Sequence, residues 1–591
     1  MFDKLYYFSS DTTAMKKIIL LLPAVLAAFL LSAQNYSINW GEEIKLKKGT
    51  ADLDIVAADN TGLYFTEARI KMKSYFLIGT TYGSAYKLYK VDKNFAEVFD
   101  KEYKKELRGL DFHSFQTLGN DLYMFATDYE KKGRLFKVYG AKVDKNSGDL
   151  VGDFTELGSY ELESKKDDYE MKMTPINNGN SFLMVSNISG KDRVSLAVSV
   201  LDKNFAKKEN AIINLSFDPG HFTLQDVKLT AENKIVLLGK EFEETQVGKK
   251  KKKRLVFKQY VMSIYSIKGA REKDISMETG DRFVINGRLI EQPAGGLLLA
   301  GFYSNTSKKD DLSGFFINKV DVQKGELTVS SFKEINSGML GKNFVEEDDD
   351  DDETKEDKKA ESKAKKEDEE DELPNEFIIR SVNINPADNS IIITSEVSQY
   401  SYYTYSSSTY NSVSKTWQTT WYHVHRFTNK DILVISADKD GNIRWINDIP
   451  KSQREEIRTS SSAGSGIYFS SDLSGYFAGA GAMPYYSSHI SLLHNNNLVI
   501  VMNDHTSNNV NAGYGDRTKT VYNFRKKSNA YGISIDLTTG KMSRKFIASN
   551  NDETILMPRH AFVMKNELYL PSWRMRMMAK TKLKFAKIVV K

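Results

Sequence analysis

The stretch from Gln399 to Phe427, QYSYYTYSSSTYNSVSKTWQTTWYHVHRF, is the chemically most distinctive part of the chain. It carries Tyr400, Tyr402, Tyr403, Tyr405, Tyr410, Trp417, Trp421 and Tyr422 among serines and threonines, and it closes on His423 and His425. Tyrosine and serine together supply rigid contact area and adaptable hydrogen bonding, the chemistry of protein-binding loops. Aromatic rings also stack on sugars. Histidines two positions apart on a strand point to one face and could begin a metal site. No acidic residue stands near them in sequence, so they read as a rim pair and no metal ligand is assigned. The candidate binding residues are therefore Tyr402, Tyr403, Tyr405, Tyr410, Trp417, Trp421, Tyr422, His423 and His425, with residues 400–422 read as a loop insertion.

Other chemistries meet specific obstacles. The chain has no cysteine, which removes disulfides, thiol nucleophiles, Cys-ligated zinc and a lipid anchor on a processed N-terminal Cys. His505 follows Asp504, but no nucleophile-elbow serine accompanies them. The nearest string to a sialidase box, SSDLSGYF around Asp472, lacks the Thr-Trp, and phosphate-cradling glycine loops are missing. Paired carboxylates are not readable at this level, because a closed repeat fold joins residues from distant segments. No catalytic residue is assigned, and the balance is against an enzyme. With 83 Lys+Arg against 78 Asp+Glu, the net charge of +5 gives no support for a nucleic-acid partner. Charge is instead concentrated locally. GKKKKKR, Gly248 to Arg254, is a solvated tip able to touch an anionic surface, and the acidic segment 346–373 has the composition of disorder. Its run Asp348–Asp352 lacks the alternation of a calcium loop, so weak calcium association is the one cofactor reading it allows.

The elements that must position these residues follow from an internal repeat. One phrase, an apolar strand ending in Asp and a turn, recurs at Asp92, Asp144, Asp202, Asp321, Asp438 and Asp536, with a degenerate copy at Ser266. A second, a polar Asn/Gly turn opening a hydrophobic strand, precedes it at Asn120, Asn180, Asn233, Gly296, Asn389, Asn497 and Asn566. The unit is strand A, Asn/Gly turn, strand B, loop, strand C, Asp turn, strand D: a four-stranded meander of propeller-blade size. The expectation is an all-β chain, a single β-propeller of about eight four-stranded antiparallel blades, with seven blades or a pair of β-sandwiches as alternatives. The last unit stops at its C strand, LKFAKIVVK, so the N-terminal segment NYSINWGEEIKLKK is expected to supply its D strand and close the ring.

The copies ADKDGNIRW (Asp438 to Trp445), IDLTTGKMSRKF (Asp536 to Phe546) and VDVQKGELTVSSF (Asp321 to Phe332) resemble repeats of quinoprotein-like propellers, including the scaffold subunit of the outer-membrane protein assembly machinery. The resemblance implies the fold and the eight-fold count. Only Trp445 stands where that family carries a tryptophan, and the adjacent cysteines of its quinone-dependent dehydrogenases cannot exist here.

Met15–Gln34 has the parts of a secretory signal: Lys16 and Lys17, an apolar stretch from Ile18 to Leu31, then Ser32 and Ala33. Residues 1–14 read as an upstream start artefact, 15–33 as the signal peptide and 34–591 as the propeller. No transmembrane segment is expected after cleavage, and the leader resembles those of exported Bacteroidota proteins. In a meander, A–B and C–D turns share one face and B–C and D–A connections the other. Every long insertion is B–C or D–A, and those from Tyr400, from Ser460 to Tyr486, from His505 and from Trp573 fall in blades six to eight. The functional expectation is an exported, non-enzymatic scaffold in the periplasm or at the cell surface that engages a protein partner through that decorated face. The alternatives are a propeller binding a cell-envelope glycan such as peptidoglycan, and a hydrolase or lyase with carboxylates at the channel mouth.

Overall fold

The computed structural model describes residues 36–590 except 48–49, 76–78, 165, 248–251, 276–281, 293–295, 306–311, 336–343, 346–375, 413–414, 461–474, 478–483, 509–517, 551–553 and 575–580. The leader, the acidic segment 346–373 and the tip of the lysine run thus lie outside the described residues.

Eight antiparallel sheets follow one another along the chain, each a meander whose strands pair in sequence order. Their A strands are Thr50–Asp59, Asp111–Leu118, Asp168–Ile176, Phe222–Leu229, Phe283–Glu291, Glu376–Ile384 and His489–His494. In blade eight the A position is shared by Ile555–Leu556 and Phe562–Met564. Middle strands are buried on both faces because each sheet is sandwiched between two others. Ser181–Ser189 and Val194–Asp202 of blade three are almost continuously buried, whereas the outer strand Lys207–Leu215 alternates.

Eight buried clusters lie one at each blade boundary. Between blades one and two Tyr64 and Leu88 meet Phe115 and Met124, and between two and three Phe125 and Phe136 meet Phe182 and Met184. Corresponding clusters join three to four, four to five, five to six, six to seven and seven to eight. The eighth packs Trp573, Leu583 and Phe585 of blade eight on Leu53, Phe65 and Tyr89 of blade one. Eight boundaries for eight blades make the ring closed.

Closure is made by the N-terminal strand, as expected from the missing D strand. Tyr36–Trp40 pairs antiparallel with Lys582–Val590, from Tyr36 opposite Val590 to Trp40 opposite Ala586. Tyr36 and Ile38 pack into the boundary between blades seven and eight. Deleting residues through Trp40 should therefore lower stability by on the order of 3 kcal/mol, from two partly buried side chains and one ladder. It would also expose the edge of Lys582–Val590 to pairing between molecules. Light scattering on the eluted truncated protein should show concentration-dependent association; a monomer with an unchanged melting temperature would contradict this.

The recurring aspartates are turn-makers. Asp92 Oδ1 accepts from the amides of Asn94 and Ala96, and Asp202 Oδ1 from those of Asn204 and Ala206. Asp144, Asp321, Asp438 and Asp536 likewise each accept from the amide two residues on. This is the Asx-turn geometry that short side-chain carboxylates favour. In the two DKNF copies the turn carries Phe95 and Phe205 at φ 64°, a left-handed conformation costly for a bulky residue. Phe95 offsets that cost by packing on Phe585 and Tyr569 across the closing boundary. At the turn of blade seven Gly540 has φ +71°, and a Cβ there would meet the Trp445 ring of blade six at 3.2 Å. Trp445 Nε1 donates to Leu537 O at 3.3 Å, so this tryptophan locks two blades together.

Candidate functional site

In blade six, residues 400–422 are not a loop but a continuation of strands B and C. Ile391–Asn411 and Thr416–Ala437 pair from Ile391 opposite Ala437 to Asn411 opposite Thr416. A register shift falls between Glu396 and Ser398. The part beyond it, Ser398 to Asn411, spans roughly 45 Å at 3.3 Å per residue. The outer strand changes at the same level. Ile443–Ile449 pairs with Ile432–Ala437, and Gln453–Ser460 then pairs with Tyr422–Asn429. The base of this three-stranded extension joins the closing core through Tyr400, Phe427 and Ile457.

Strand alternation divides the nine candidate residues between two faces. One face carries Tyr402 opposite His425, Thr404 opposite His423, Ser406 opposite Trp421 and Tyr410 opposite Trp417. Its aromatic side chains are open to solvent: Tyr402 45%, Tyr410 49%, Trp417 69% and Trp421 52%. The other face carries Tyr403, Tyr405 and Tyr422; the first two are buried, and all three pack around Val424. Tyr403 is also covered by the Arg426 guanidinium, which pairs with Glu456. Six of the nine therefore form a surface and three form its backing.

The histidines belong to the exposed row. Tyr402 OH lies 2.6 Å from His423 Nδ1, and Tyr400 OH lies 2.9 Å from His425 Nδ1. Burial, and then the neighbouring His423, push His425 down to about 4, so it is neutral at physiological pH. If the phenol donates to Nδ1, the proton of the neutral ring sits on Nε2 as a donor. Among the described residues no three His, Asp or Glu side chains are grouped so that they could hold a metal ion, here or elsewhere.

A second polar site lies at the channel mouth, on the same face as the extension. Asp52 and Asp54 stand on the A strand of blade one, and His560 on the short helical turn Pro558–His560 of blade eight. His560 Nδ1 is 2.7 Å from Asp54 Oδ1, and its Nε2 is 3.1 Å from Pro484 O. Two acceptors on one imidazole favour its doubly protonated form. Burial disfavours that charge, but the Asp54 hydrogen bond and charge outweigh it and raise the His560 pKa. Burial also works against the Asp54 anion, which the His560 bond and charge and Arg559 hold below its ordinary value. Asp52 is pushed up to about 7 by burial and by Asp54. Two neighbouring carboxylates thus have opposite protonation tendencies.

Around this pair a buried network fixes the mouth. Glu396 is fully buried, with Arg380 Nε 2.7 Å from Oε2, Lys451 Nζ 2.5 Å from Oε1 and Ser488 Oγ donating at 2.6 Å. Glu455 accepts the amides of Tyr485, Tyr486 and Ser487, which pins the end of the connection from blade six to blade seven. Another piece of that connection, Gly475–Phe477, is anchored on blades three and four. Tyr476 N donates to Leu224 O of blade four, and Lys172 Nζ of blade three donates to Tyr476 O at 2.6 Å. The mouth, with Asp52, Asp54 and His560, contains none of the candidate residues read from the sequence. Its one visible signal was charged residues such as Asp52, Asp54 and Arg380 within A strands.

No protein-family model matches the sequence, and no curated protein matches it. Solved structures that it resembles include the β-propeller domain of the trilobed protease from Pyrococcus furiosus, at 9% identity over 84% of this chain and 97% of that one, TM-score 0.29. They also include the α-L-arabinanase of Penicillium chrysogenum, at 9% identity over 58% and 93%, TM-score 0.26. A protein of unknown function from Dyadobacter fermentans matches at 8% identity over 73% and 97%, TM-score 0.28. Likeness of this degree carries no inference about ligands, and the fold rests on the ladders and boundary clusters described above. On those grounds the chain is an eight-bladed β-propeller closed by its own N-terminal strand.

Proposed function

We propose that this chain is an exported binding propeller, acting in the periplasm or at the cell surface, that holds a protein partner on the aromatic row of the blade-six extension. The observation that carries the reading is the asymmetry of that extension. Tyr402, Tyr410, Trp417 and Trp421 are exposed on one face, while Tyr403 and Tyr405 on the other are buried. Each such ring offers about 150–250 Å² to a contact, and half-exposed rings retain enough of it to contribute about 2 kcal/mol apiece on burial. Serine and threonine hydroxyls between the rings supply hydrogen bonds, and the strand ladder pre-orders the surface. The leader at 15–33 supports export.

The test is affinity purification of the tagged protein from its native host, beside the double variant Trp417→Ser, Trp421→Ser. The wild type should retain a partner that the variant loses, with no change in melting temperature, because both side chains lie at the surface. An identical set of captured proteins would overturn the reading. Retardation of the wild type in polysaccharide gels, abolished in the variant, would replace the protein partner by a cell-envelope glycan.

One observation favours a second reading, a hydrolase or lyase at the channel mouth: the opposite pKa displacements of Asp52 and Asp54 beside His560. Activity on a glycan or peptide panel that vanishes in Asp54→Asn would establish it.

A further inference from the structure

The inner strands of blades four to six enclose a cavity of about 360 Å³ lined by Lys228, Arg288, Glu291, Arg380, Ser381 and the aliphatic side chains beside them. Glu291 and Ile384, the last residues of their A strands, place it toward the face of the short Asn and Asp turns, away from the extension. The volume lies within the range of small-ligand pockets, about 300–1,000 Å³.

Its charges are not balanced. Lys228 has no hydrogen bond or ion pair among the described residues. Arg288 Nε is 4.0 Å from Asp226 Oδ2, but that oxygen already accepts the Leu289 amide at 3.1 Å, and the other accepts the Val227 amide. Arg288 Nη1 donates to Ile379 O at 3.0 Å, which fixes its plane across the boundary between blades five and six. The Arg288 side chain nevertheless remains 46% exposed. Arg380 shares Glu396 with Lys451, and its Nη2 also donates to Ser398 and Asn429. The cationic run continues on both sides. Lys172 of blade three bonds a carbonyl rather than a carboxylate, and Arg559 of blade eight has no hydrogen bond or ion pair among the described residues. Glu291 is the one carboxylate lining the cavity.

We propose that this cavity binds a small molecule bearing two or more oxyanion groups, phosphate or carboxylate, held by Lys228 and Arg288, with the paired Arg380 adding its charge to the wall. Guanidinium groups fixed in plane match such groups two bonds at a time, and lysine adds a mobile point charge. The flanking cations repel the lining ones. Burial, then Arg288, lower the Lys172 pKa, and burial, then Arg380, lower that of Arg559 to about 9. An anion between them reverses that repulsion. Leu289, Val382 and Ile384 offer an apolar wall to the ligand's body, while the Ser381 hydroxyl is already bonded to Thr394, Ser491 and Asn383.

The proposal is tested by calorimetric titration of the full mature chain with pyrophosphate and with citrate at matched ionic strength. At least one probe should bind. Arg288→Gln should weaken that probe at least tenfold, and Glu291→Gln should tighten it severalfold by removing the lining anion. The opposite signs separate a site from a folding defect, and Lys208→Gln, on an exposed outer strand, should change nothing. Pyrophosphate alone would mark a phosphate ligand and citrate alone a polycarboxylate; either supports the site. No binding of either probe at millimolar concentration would overturn it, as would equal affinity in wild type and Arg288→Gln.

Discussion

Glu396→Gln is expected to lower the unfolding free energy by about 3–5 kcal/mol, the loss typical when one partner of a buried ion pair is removed. The substitution strands Lys451, whose side chain has no exposed surface, and loosens Arg380, which also donates to Ser398 Oγ at 2.7 Å. A denaturant midpoint read by blade-specific fluorescence suits a large ring better than a two-state fit. The double variant Glu396→Gln, Lys451→Met should recover a large part of the loss, since the uncompensated cation goes with the carboxylate. Burial pushes the Glu396 pKa up, but Lys451 and Arg380 outweigh it and hold it well below 4.5. The stability contributed is therefore present above pH 4.5 and lost as pH falls through the lower folded value. Acid sensitivity in that window should be smaller in the variant. A variant as stable as the wild type would show that the network does not hold the mouth together.

Asp448→Asn should raise stability at alkaline pH and remove most of the wild type's decline between about pH 5 and pH 8. Asp448 lies opposite Leu433 in blade six, and neither of its carboxylate oxygens has a hydrogen-bond partner among the described residues. Burial, then Asp431, push its pKa from 3.8 to about 8. The folded protein keeps a proton that the unfolded chain has released across that window, so stability falls as pH rises. The integrated effect is on the order of 3–5 kcal/mol. Asp52, raised to about 7, and His560, raised above 6.5, contribute declines of the same sign. The variant should therefore keep a shallower slope. Parallel melting-temperature profiles for wild type and variant would contradict the assignment to Asp448.

The ring itself was legible because its signals are local. An Asp that accepts the amide two residues on fixes a turn without help from the rest of the fold, so Asp92, Asp202 and Asp438 mark C–D corners directly in the sequence. The closing strand was legible by elimination, from a final unit that lacks a D strand. The channel mouth was not. Asp54 and His560 stand 506 positions apart and meet only because the ring closes. The extension was half legible. Its composition singled out the aromatic and histidine residues, but which of them share a face depends on the register that sets Tyr402 opposite His425, and the Ser/Thr-rich hairpin does not announce one. Trp573 shows the converse error: adjacent to basic and Met residues it reads as part of an insertion, yet it is among the largest fully buried side chains.

The most direct test of the binding face is photo-crosslinking in cells of the native host. A photoreactive residue would replace Trp421 or Trp417 on the exposed row or, as a control, Ile212, which is exposed on the outer strand of blade three. Adducts of one discrete partner at positions 421 and 417, with none at 212, are the expected result. No adduct at 421 and 417, or the same adducts at 212, would contradict a partner held on the blade-six row.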